Sequence, residues 1–566
     1  MQIYLKGKGD ITLDQRDFIA QGGEGSIYSK GKTAYKIYTD PKRMIPLTKI
    51  DELSVLSHKD IIKPEEVLYD AKNKPIGYTM QFKKNTYALC QLFPRVFKER
   101  NKISPAMTFE LVKKLQDIVK HVHDKGLLIV DLNEMNFLCD DSFESIFAID
   151  VDSYQTKSFP ATALMESVRD RHTNTFSQGT DWFAFGIVAL QMMIGIHPYK
   201  GKHPVIKSLD DRMLKNVSVF HKDVSIPNMC YDFSVIPANF TAWLKAVLDD
   251  GKRIPPPFGN DAINVVVKID VINGSNNFII DMIRDFGNDI IGYYYCSGTE
   301  VVITGNATYL NGKDVGVPPM VGWPNLLSIG FTDKMNHPIG ASVKTVNGVK
   351  VLSLFDIVAK RELKIDVECS HTMAYDGRIY IKSGASIMEI KFKELGTDIV
   401  PTAKIVGKAM ENATKLFPGM SIMNMMGSYY ASLFPKADHC YQIQLKELVG
   451  YQIIDAKFEN GVMMIAAVKA GKYDKFIMRF DADYQSYDVR IIKDVQTNDI
   501  NFIVKENGVC IRINEDEDVE VFPAKKDAPN MKVFKDAVIN SQMVLFKQGL
   551  DTMFTNGKKL YRMKSK

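Results

Sequence analysis

Apolar residues recur with a helical period in two stretches of the first half of the chain. From Ala106 to Lys125 they fall at every third or fourth position and form one stripe along a helix. From Trp182 to Gly195 the residues are apolar almost all round, as in a helix buried inside a domain. The proline run Gly251–Phe258 ends this helical periodicity, because consecutive prolines cannot continue a helix. These patterns predict a first region built around at least two buried helices.

Beyond the prolines, short runs rich in β-branched and aromatic residues replace the helical period. Many of these runs end at Asn-Gly or Asp-Gly turns, whose conformation matches the twist of a tight hairpin. The turns are Asn347-Gly348, Asp376-Gly377, Asn460-Gly461, Asn507-Gly508 and Asn556-Gly557. Roughly 300 residues follow the prolines, enough for about six or seven four-stranded blades. The pattern predicts a β-propeller, with a pair of β-sandwiches as the competing arrangement.

The composition is typical of a folded protein. Of the 566 residues, 45% are hydrophobic and 25% charged, and the formal net charge is +5. The sequence has no basic stripe suited to a phosphate backbone, so we expect no nucleic-acid partner. The longest apolar run, Phe183–Ile196, is too short for a bilayer, so we expect no membrane association. The seven cysteines are scattered and never spaced as CxxC, which indicates a soluble protein of the reducing cytoplasm.

A glycine-rich turn between two predicted strands lies near the start of the chain. Its glycines are Gly22, Gly23 and Gly25. Because glycine has no Cβ, the backbone N–H groups of such a turn can approach phosphate oxygens. Lys36 follows inside the next apolar strand, where a lysine needs a charged partner. Glu52, on the predicted helix that comes next, is the best candidate for this partner, and Asp51 is the alternative.

Two further apolar runs each deliver a carboxylate at their end. Asp131 follows the first run, with Asn136 shortly after it, and Asp150 ends the second. Phosphoryl transfer requires an acid that orients the attacking hydroxyl, together with an amide and an acid that hold Mg²⁺ against nucleotide phosphates. Loop carboxylates also cap strands, but three such groups in this order, after a glycine turn and a strand lysine, favour the chemical interpretation. Asp152 competes with Asp150 for the metal position, and the spacing from Asn136 favours Asp150.

Together these motifs resemble the Hanks-type protein kinases over roughly residues 12–258, in a form most similar to divergent bacterial and phage-type kinase-like proteins. The resemblance implies a two-lobed α+β domain, with a mostly β N-lobe over 1–95 and a helical C-lobe over 96–258, before the β domain over 259–566. It implies that ATP and Mg²⁺ bind between the lobes. The catalytic residues it implies are Lys36, Glu52 and Asp131. The nucleotide contacts it implies are Gly22, Gly23, Gly25, Lys36 and Met80, and the metal ligands are Asn136 and Asp150.

The segment Thr180–Leu190 resembles the central buried helix of the same family. By that resemblance Asp181 binds backbone near the catalytic loop and supports it. Arg253 is the second supporting residue, and it is expected to pair with an acid such as Glu166.

The sequence also departs from the family. Ile129 and Val130 stand where a His-Arg pair is usual, which argues against control by a phosphorylated loop. Asn133 replaces the usual catalytic-loop lysine, and Val151-Asp152 replaces Phe-Gly. The Ala-Pro-Glu motif is not recognisable, so the resemblance does not imply that this segment places a substrate.

The function expected from the resemblance is an ATP- and Mg-dependent Ser/Thr protein kinase, whose C-terminal β domain recruits a protein substrate or partner. One alternative is a pseudokinase scaffold that acts through its β-propeller. Another is a small-molecule kinase, because kinases of the aminoglycoside type share the pattern of Asp131, Asn136 and Asp150.

Overall fold

Two units with different secondary structure make up the chain. The computed structural model describes residues 1–6, 9–257, 275–316, 328–526 and 531–566. The first unit comprises Met1–Ile269 together with the segments Val468–Tyr473 and Asp494–Asn498. The second comprises Asp270–Ala467, Asp474–Lys493 and Asp499–Lys566. The boundary predicted between residues 258 and 259 lies outside the described residues.

The first part of the chain, up to residue 257, contains ten strands and six α-helices among the described residues. The strands are β1 (Gln2–Leu5), β2 (Gly9–Thr12), β3 (Phe18–Gln21), β4 (Gly25–Lys30), β5 (Thr33–Tyr38), β6 (Val67–Tyr69), β7 (Pro75–Gln81), β8 (Thr86–Ala88), β9 (Phe137–Asp140) and β10 (Ile146–Ala148). The helices are α1 (Leu47–Leu53), α2 (Arg95–Arg100), α3 (Pro105–Asp124), α4 (Gln178–Ile194), α5 (Leu209–Leu214) and α6 (Ala238–Leu248).

Seven of these strands form one antiparallel sheet in the order β2-β1-β6-β7-β5-β4-β3. Strand β5 is flanked on both sides, so Lys36 lies opposite Ile27 of β4 and Tyr78 of β7. A smaller sheet has the order β10-β9-β8. Because β5 is an interior strand of the sheet, the side chain of Lys36 leaves the backbone at a position with little access to water.

The two helices predicted from apolar periodicity are confirmed as α3 and α4. Ser104 caps α3 by accepting a hydrogen bond from the Met107 N–H at 3.2 Å, and Pro105 fits the first turn, where its missing N–H costs nothing. Helix α4 starts at a Ser177–Thr180 capping box and ends at Gly195, whose φ of 91° suits glycine. Nearly every residue of α4 is buried, as its uniformly apolar sequence indicates.

The predicted fold class, a two-lobed α+β domain of the Hanks type followed by a propeller, is wrong. Among the described residues, 41% lie in strands and only 16% in helices, with six α-helices, which does not fit a two-lobed kinase domain. Long helices formed only where the apolar period is unbroken, and no α-helix lies between α3 and α4 or in the stretch 195–208. The predicted C-lobe does contain α2–α6, but α2 and α5 span only six residues each, so this region is less helical than the resemblance implies. The expected β-rich C-terminal part is present.

The described strands after residue 275 are mostly short, as their closely spaced turns predict, although β22 and β23 reach ten and eleven residues. They are β11 (Phe278–Asp285), β12 (Ile290–Cys296), β13 (Thr299–Thr304), β14 (Thr308–Leu310), β15 (Lys313–Asp314), β16 (Ser328–Phe331), β17 (Pro338–Val346), β18 (Val349–Asp356), β19 (Arg361–Leu363), β20 (His371–Tyr375), β21 (Arg378–Ser383), β22 (Ser386–Leu395), β23 (Asp398–Lys408), β24 (Thr414–Phe417), β25 (Met420–Met425), β26 (Ser428–Leu433), β27 (Tyr441–Gln444), β28 (Gln452–Glu459), β29 (Val462–Lys469), β30 (Lys472–Phe480), β31 (Tyr487–Ile492), β32 (Phe502–Val504), β33 (Val509–Ile513), β34 (Val519–Pro523), β35 (Lys532–Phe534), β36 (Val544–Gln548), β37 (Asp551–Asn556) and β38 (Lys559–Ser565).

Among the described residues these strands form seven four-stranded antiparallel sheets. Six sheets use four consecutive strands, from β12–β15 through to β32–β35, and the seventh has the order β11-β38-β37-β36. Hydrophobic clusters join neighbouring sheets: one contains Tyr380, Leu433 and Phe476 from three consecutive sheets. Another joins Ile511 of β33 to Phe554 of β37. Apolar packing between sheets therefore builds the core of this part.

Three of the five Asn-Gly and Asp-Gly turns, those at Asn347, Asp376 and Asn460, have the backbone that the sequence predicts for tight hairpins, whereas Asn507 and Asn556 do not have a positive φ. Asn460 and Gly461, between β28 and β29, have φ values of 41° and 81°. Both values are positive, which matches a turn whose twist follows that of the flanking strands.

Among the described helices, none combines the length and apolar character that a membrane crossing requires.

The sheet that joins β11 to β38 offers a test of the packing. Leu560 of β38 is fully buried, so Leu560→Ala should remove its transfer free energy and leave a cavity, at a cost of about 2–5 kcal/mol. We expect a clearly lower melting temperature by calorimetry. Lys564→Ala, at an exposed position of the same strand, is the control and should melt like the wild type. An unchanged melting temperature for Leu560→Ala would contradict this pairing.

Candidate functional site

A buried ammonium group lies at the centre of the candidate site. Lys36 is 7% exposed, and its Nζ lies 2.6 Å from Asp152 Oδ2 and 3.1 Å from Asp150 Oδ1. Glu24 Oε2, from the glycine turn, lies 3.6 Å away. Burial alone lowers the pKa of Lys36, but the charges of Asp152 and Asp150 outweigh burial and hold this pKa above its usual value. Lys36 therefore stays charged.

The two aspartates next to Lys36 have different surroundings. Asp152 is 2% exposed and also accepts a hydrogen bond from the Tyr38 hydroxyl at 2.6 Å. Burial raises the pKa of Asp152, but Lys36 and Tyr38 outweigh it and leave this pKa below its usual value. The side chain of Asp150 is 36% exposed, and burial, with the charge of Asp152, raises its pKa to about 6. Asp152 is thus committed to Lys36, whereas Asp150 keeps a side open.

The predicted pairing of Lys36 with Glu52 is not what the structure contains. The partners of Lys36 among the described ion pairs are Glu24, Asp150 and Asp152. Glu52 Oε2 instead accepts a hydrogen bond from the Ser158 N–H at 3.2 Å, and the alternative, Asp51, is exposed. Asp152 occupies the place of the missing partner, because the turn that follows β10 brings it under β5.

A second lysine lies close to the same carboxylates. Lys49 on α1 is 1% exposed, and its Nζ has no hydrogen-bond partner in the described part of the chain. Burial lowers the pKa of Lys49, while the charges of Asp152, Asp150 and Glu24 act in the opposite direction. An ammonium group without a partner in such a place is costly unless an anion reaches it.

The glycine turn connects β3 to β4, and its glycines differ in role. Gly22 and Gly23 are exposed, and a Cβ on either would meet no atom within 4 Å. A Cβ on Gly25 would lie 2.3 Å from the backbone oxygen of Ile37, so this glycine is required by the close approach of β5. Met80, half-buried on β7, lies opposite Ala34 of β5. The Gly22 N–H donates to the Gly25 oxygen at 2.9 Å and closes the turn. Gly23 thus leaves room for a ligand on the exposed turn, whereas Gly25 holds the sheet together.

Asp131 lies in a tightly bonded loop. Its Oδ1 accepts a hydrogen bond from the Met165 N–H at 2.7 Å, and its Oδ2 accepts one from Asn136 Nδ2 at 3.2 Å. Asn136 Nδ2 also donates to the backbone oxygen of Asp131 at 2.9 Å. Asp131 is 7% exposed, so its carboxylate is oriented before any ligand arrives.

Asn136 and Asp150 lie at the same end of the β9–β10 hairpin. Strand pairing places Phe137 opposite Ala148, and the Ile149 N–H donates to the Asn136 oxygen at 2.9 Å. Asp150 follows directly, in a left-handed conformation with φ of 57°. An amide and a carboxylate brought to one hairpin end are oxygen ligands of the kind that Mg²⁺ takes.

Asp181, at the start of α4, holds the backbone that precedes Asp131. Its carboxylate accepts hydrogen bonds from the N–H groups of Ile129 at 2.8 Å and Val130 at 2.9 Å, and His123 Nε2 lies 2.9 Å from it. Asp181 is fully buried. Val130 has a φ of 64°, a conformation that a β-branched residue adopts only when its surroundings impose it.

Arg253 pairs with Asp170, not with Glu166. Its Nε and Nη2 donate to the two carboxylate oxygens of Asp170 at 2.5 and 2.8 Å. Glu166 instead contacts Arg169 and Arg171 at 3.3 Å. The prediction that Arg253 forms an acid pair is therefore correct in kind and wrong in partner. Of Asp170 and Glu166, Asp170 is the buried acid. A buried carboxylate needs a charged partner, so pairing Asp170 with Arg253 is the more stable arrangement.

One other cluster has the residue types of a metal site. The ligand atoms of His203, His221 and Asp223 lie within 4.8 Å of one another. His203 Nδ1, however, accepts hydrogen bonds from the N–H groups of Val205 and Ile206. A neutral imidazole bonded in this way carries its proton on Nε2, which removes the lone pair that a metal needs. The cluster is a loop-stabilising one.

No family model and no curated protein matches this chain. The site is therefore interpreted from its own geometry.

Sequence reasoning missed Lys49, Asp170 and the role of Asp152 as the partner of Lys36. Lys49 carried a usable signal, because it stands four residues before Leu53 and so shares the buried face of α1. Asp152 was considered only as a metal ligand. Asp170 carried no local signal, since it lies in a loop distant in sequence from Arg253.

Asp181 provides a test of how the loop is held. In Asp181→Asn an amide N–H₂ would face one of the two backbone N–H groups, so a buried hydrogen bond is lost at a cost of about 1–3 kcal/mol. We expect a lower melting temperature and faster hydrogen exchange at Ile129 and Val130. Asp117→Asn, at an exposed position of α3, should change neither quantity. Unchanged exchange in Asp181→Asn would show that the carboxylate does not hold this loop.

Proposed function

We propose that this protein binds ATP with Mg²⁺ and transfers the γ-phosphoryl group to a Ser or Thr hydroxyl of a protein. The observation that carries the proposal is the meeting of Lys36 with Asp150, 114 positions later in the chain, at 3.1 Å. Asp150 is next to Asn136 at one hairpin end, and Asn136 is bonded to Asp131. A cation for phosphate, two oxygen ligands for a metal and an acid for a hydroxyl therefore form one connected set. The proposal rests on this set of side chains and not on the fold.

The residues present fit a nucleotide phosphate. Lys36 and Lys49 supply two ammonium groups, and that of Lys49 has no hydrogen-bond partner among the described residues. Gly23 leaves room for a ligand on the same turn as Glu24, whose carboxylate lies 3.6 Å from Lys36. An anionic ligand would give Lys49 the partner that it lacks, which is the strongest local argument for a phosphate.

The residues present also fit Mg²⁺. Asp150 would hold the ion through its half-exposed carboxylate, and Asn136 through the amide oxygen, since the amide nitrogen is engaged by Asp131. The ion would neutralise phosphate charge when bound. Asp152 contributes indirectly, because its bond to Lys36 fixes the position of that ammonium group.

Asp131 is the group we assign to the acceptor hydroxyl. Its carboxylate is oriented by the Met165 N–H and by Asn136, so it can accept a proton from a hydroxyl without first reorganising. Such a reaction depends on positioning and charge neutralisation more than on covalent chemistry.

The β-rich C-terminal part is proposed to recruit the protein acceptor or another partner. A cytoplasmic setting is proposed from the scattered cysteines.

The main test is incubation with γ-labelled ATP and Mg²⁺. Asp150→Ala and Lys36→Met should each lower phosphate incorporation by about 10²–10³-fold or more, because each removes a group that balances charge in the transition state. Asp124→Ala breaks only an exposed pair with Lys120 and should keep wild-type activity. Equal incorporation by Asp150→Ala and wild type would place the chemistry elsewhere.

The same experiment separates the alternatives. Label on a metabolite and not on protein would favour a small-molecule kinase. Absence of both transfer and a thermal shift with ATP and Mg²⁺ would favour a scaffold protein, because a ligand that binds the native state raises its melting temperature.

Lys49 gives an independent test of phosphate binding. Lys49→Met should weaken ATP binding about tenfold, the effect of losing one charged contact, and leave adenosine binding unchanged. Calorimetric titration measures both affinities. Lys63→Met is the matched control, since Lys63 donates to the backbone oxygens of Ser54 and Leu56. Equal weakening of ATP by both variants would contradict a phosphate role for Lys49.

A further inference from the structure

The loop that carries Asp131 contains a buried carboxyl group with no part in the proposed reaction. Glu134 is 1% exposed, and burial raises its pKa. One carboxyl oxygen accepts a hydrogen bond from the Tyr473 hydroxyl, and the other has no hydrogen-bond partner in the described part of the chain. Tyr473 therefore supplies the donor that makes burial of Glu134 tolerable.

Tyr473 belongs to a segment that is part of the first unit although it lies far along the chain. The segment Val468–Tyr473 is held by Asp494–Asn498, since the Val495 N–H donates to the Tyr473 oxygen at 2.7 Å. Lys200 binds this second segment through Asp494 at 2.8 Å and the Val495 oxygen at 3.0 Å. These bonds fix the position from which Tyr473 reaches Glu134.

The same segment also touches the residue that orients Asp131. A Cβ added to Gly471 would lie 2.9 Å from Met165 Sδ and 2.9 Å from Ser167 Oγ. Met165 is the residue whose N–H donates to the Asp131 carboxylate at 2.7 Å. The backbone of Gly471 thus lies directly behind the segment that contacts Asp131.

We propose that Val468–Tyr473 is a positioning element for the acceptor side of the candidate site, with Tyr473 as its main positioning residue. The inference rests on the proposed function. Tyr473 fixes the loop of Asp131 through Glu134, and Gly471 supports Met165. Neither residue is among the groups assigned to ATP or Mg²⁺. Their effect should therefore fall on the transfer step and not on nucleotide affinity.

Substitutions of the Tyr473–Glu134 pair test this separation. Tyr473→Phe removes the hydroxyl donor, so we expect kcat to fall about ten- to hundredfold while the Kd for ATP stays within about twofold. Glu134→Gln keeps an acceptor for Tyr473 and should retain most of the wild-type kcat, whereas Glu134→Leu should be as slow as Tyr473→Phe. Tyr487→Phe breaks a comparable bond, to Glu447 at 2.6 Å, and should keep the wild-type kcat.

A second pair of variants does not depend on the hydroxyl. Gly471→Ala places a Cβ against Met165, at a φ of 72°, and should lower kcat. Gly461→Ala introduces the same backbone strain, at a φ of 81°, but meets no atom within 4 Å. A lower kcat in Gly471→Ala than in Gly461→Ala separates contact with Met165 from backbone strain.

The outcomes distinguish this inference from the proposed function. Wild-type kcat in both Tyr473→Phe and Gly471→Ala would overturn the positioning role and leave the proposed function intact. If the wild type itself transfers no phosphate, the proposed function fails, and hydrogen exchange at residues 131–136 decides the inference. Faster exchange in Tyr473→Phe than in Tyr487→Phe would support it, and equal exchange would overturn it.

Discussion

The buried ammonium group of Lys36 is the constraint on which the rest of the first unit's site depends. A charge on an interior strand is tolerated only when opposite charge and hydrogen bonds surround it. Two aspartates from one turn meet this need unequally, because Asp152 is enclosed with Tyr38 while Asp150 remains half exposed. The ion pair therefore fixes the turn after β10 against the sheet and leaves one carboxylate available for chemistry.

The sequence predicted the elements whose signal is local. The apolar periods of α3 and α4 and the hairpin turns follow from neighbouring residues, and these predictions hold for both helices and for three of the five turns. The requirement that Lys36 have a charged partner also follows from its strand, but the identity of that partner does not. Asp152 lies 116 positions away, and no local pattern distinguishes it from Glu52. The fold class was wrong for a related reason, since a family resemblance carried helices into stretches without an apolar period.

Fold and site carry different information in this protein. The chain is mostly β and matches no family model, so the fold alone says little about activity. The candidate site is nevertheless informative, because each of its side chains has a distinct environment from which a separate role can be inferred. These side chains are Lys36, Lys49, Asp131, Asn136 and Asp150. The first unit also includes segments from far along the chain, which no contiguous division of the sequence anticipates. Local sequence patterns predict the structure of single segments, whereas this unit is defined by contacts between segments that are distant in the sequence.

The pairing of β11 with β38 has a consequence for biosynthesis. Arg562 and Asp281, which face each other across these strands, are separated by 281 positions. While a ribosome makes the intervening chain, β11 has no partner on that side and presents unpaired N–H and C=O groups. Such an open edge can pair with another nascent chain, and closing so long a loop is slow. We therefore expect the newly made protein to depend on chaperones, or on low local concentration, until this sheet is complete.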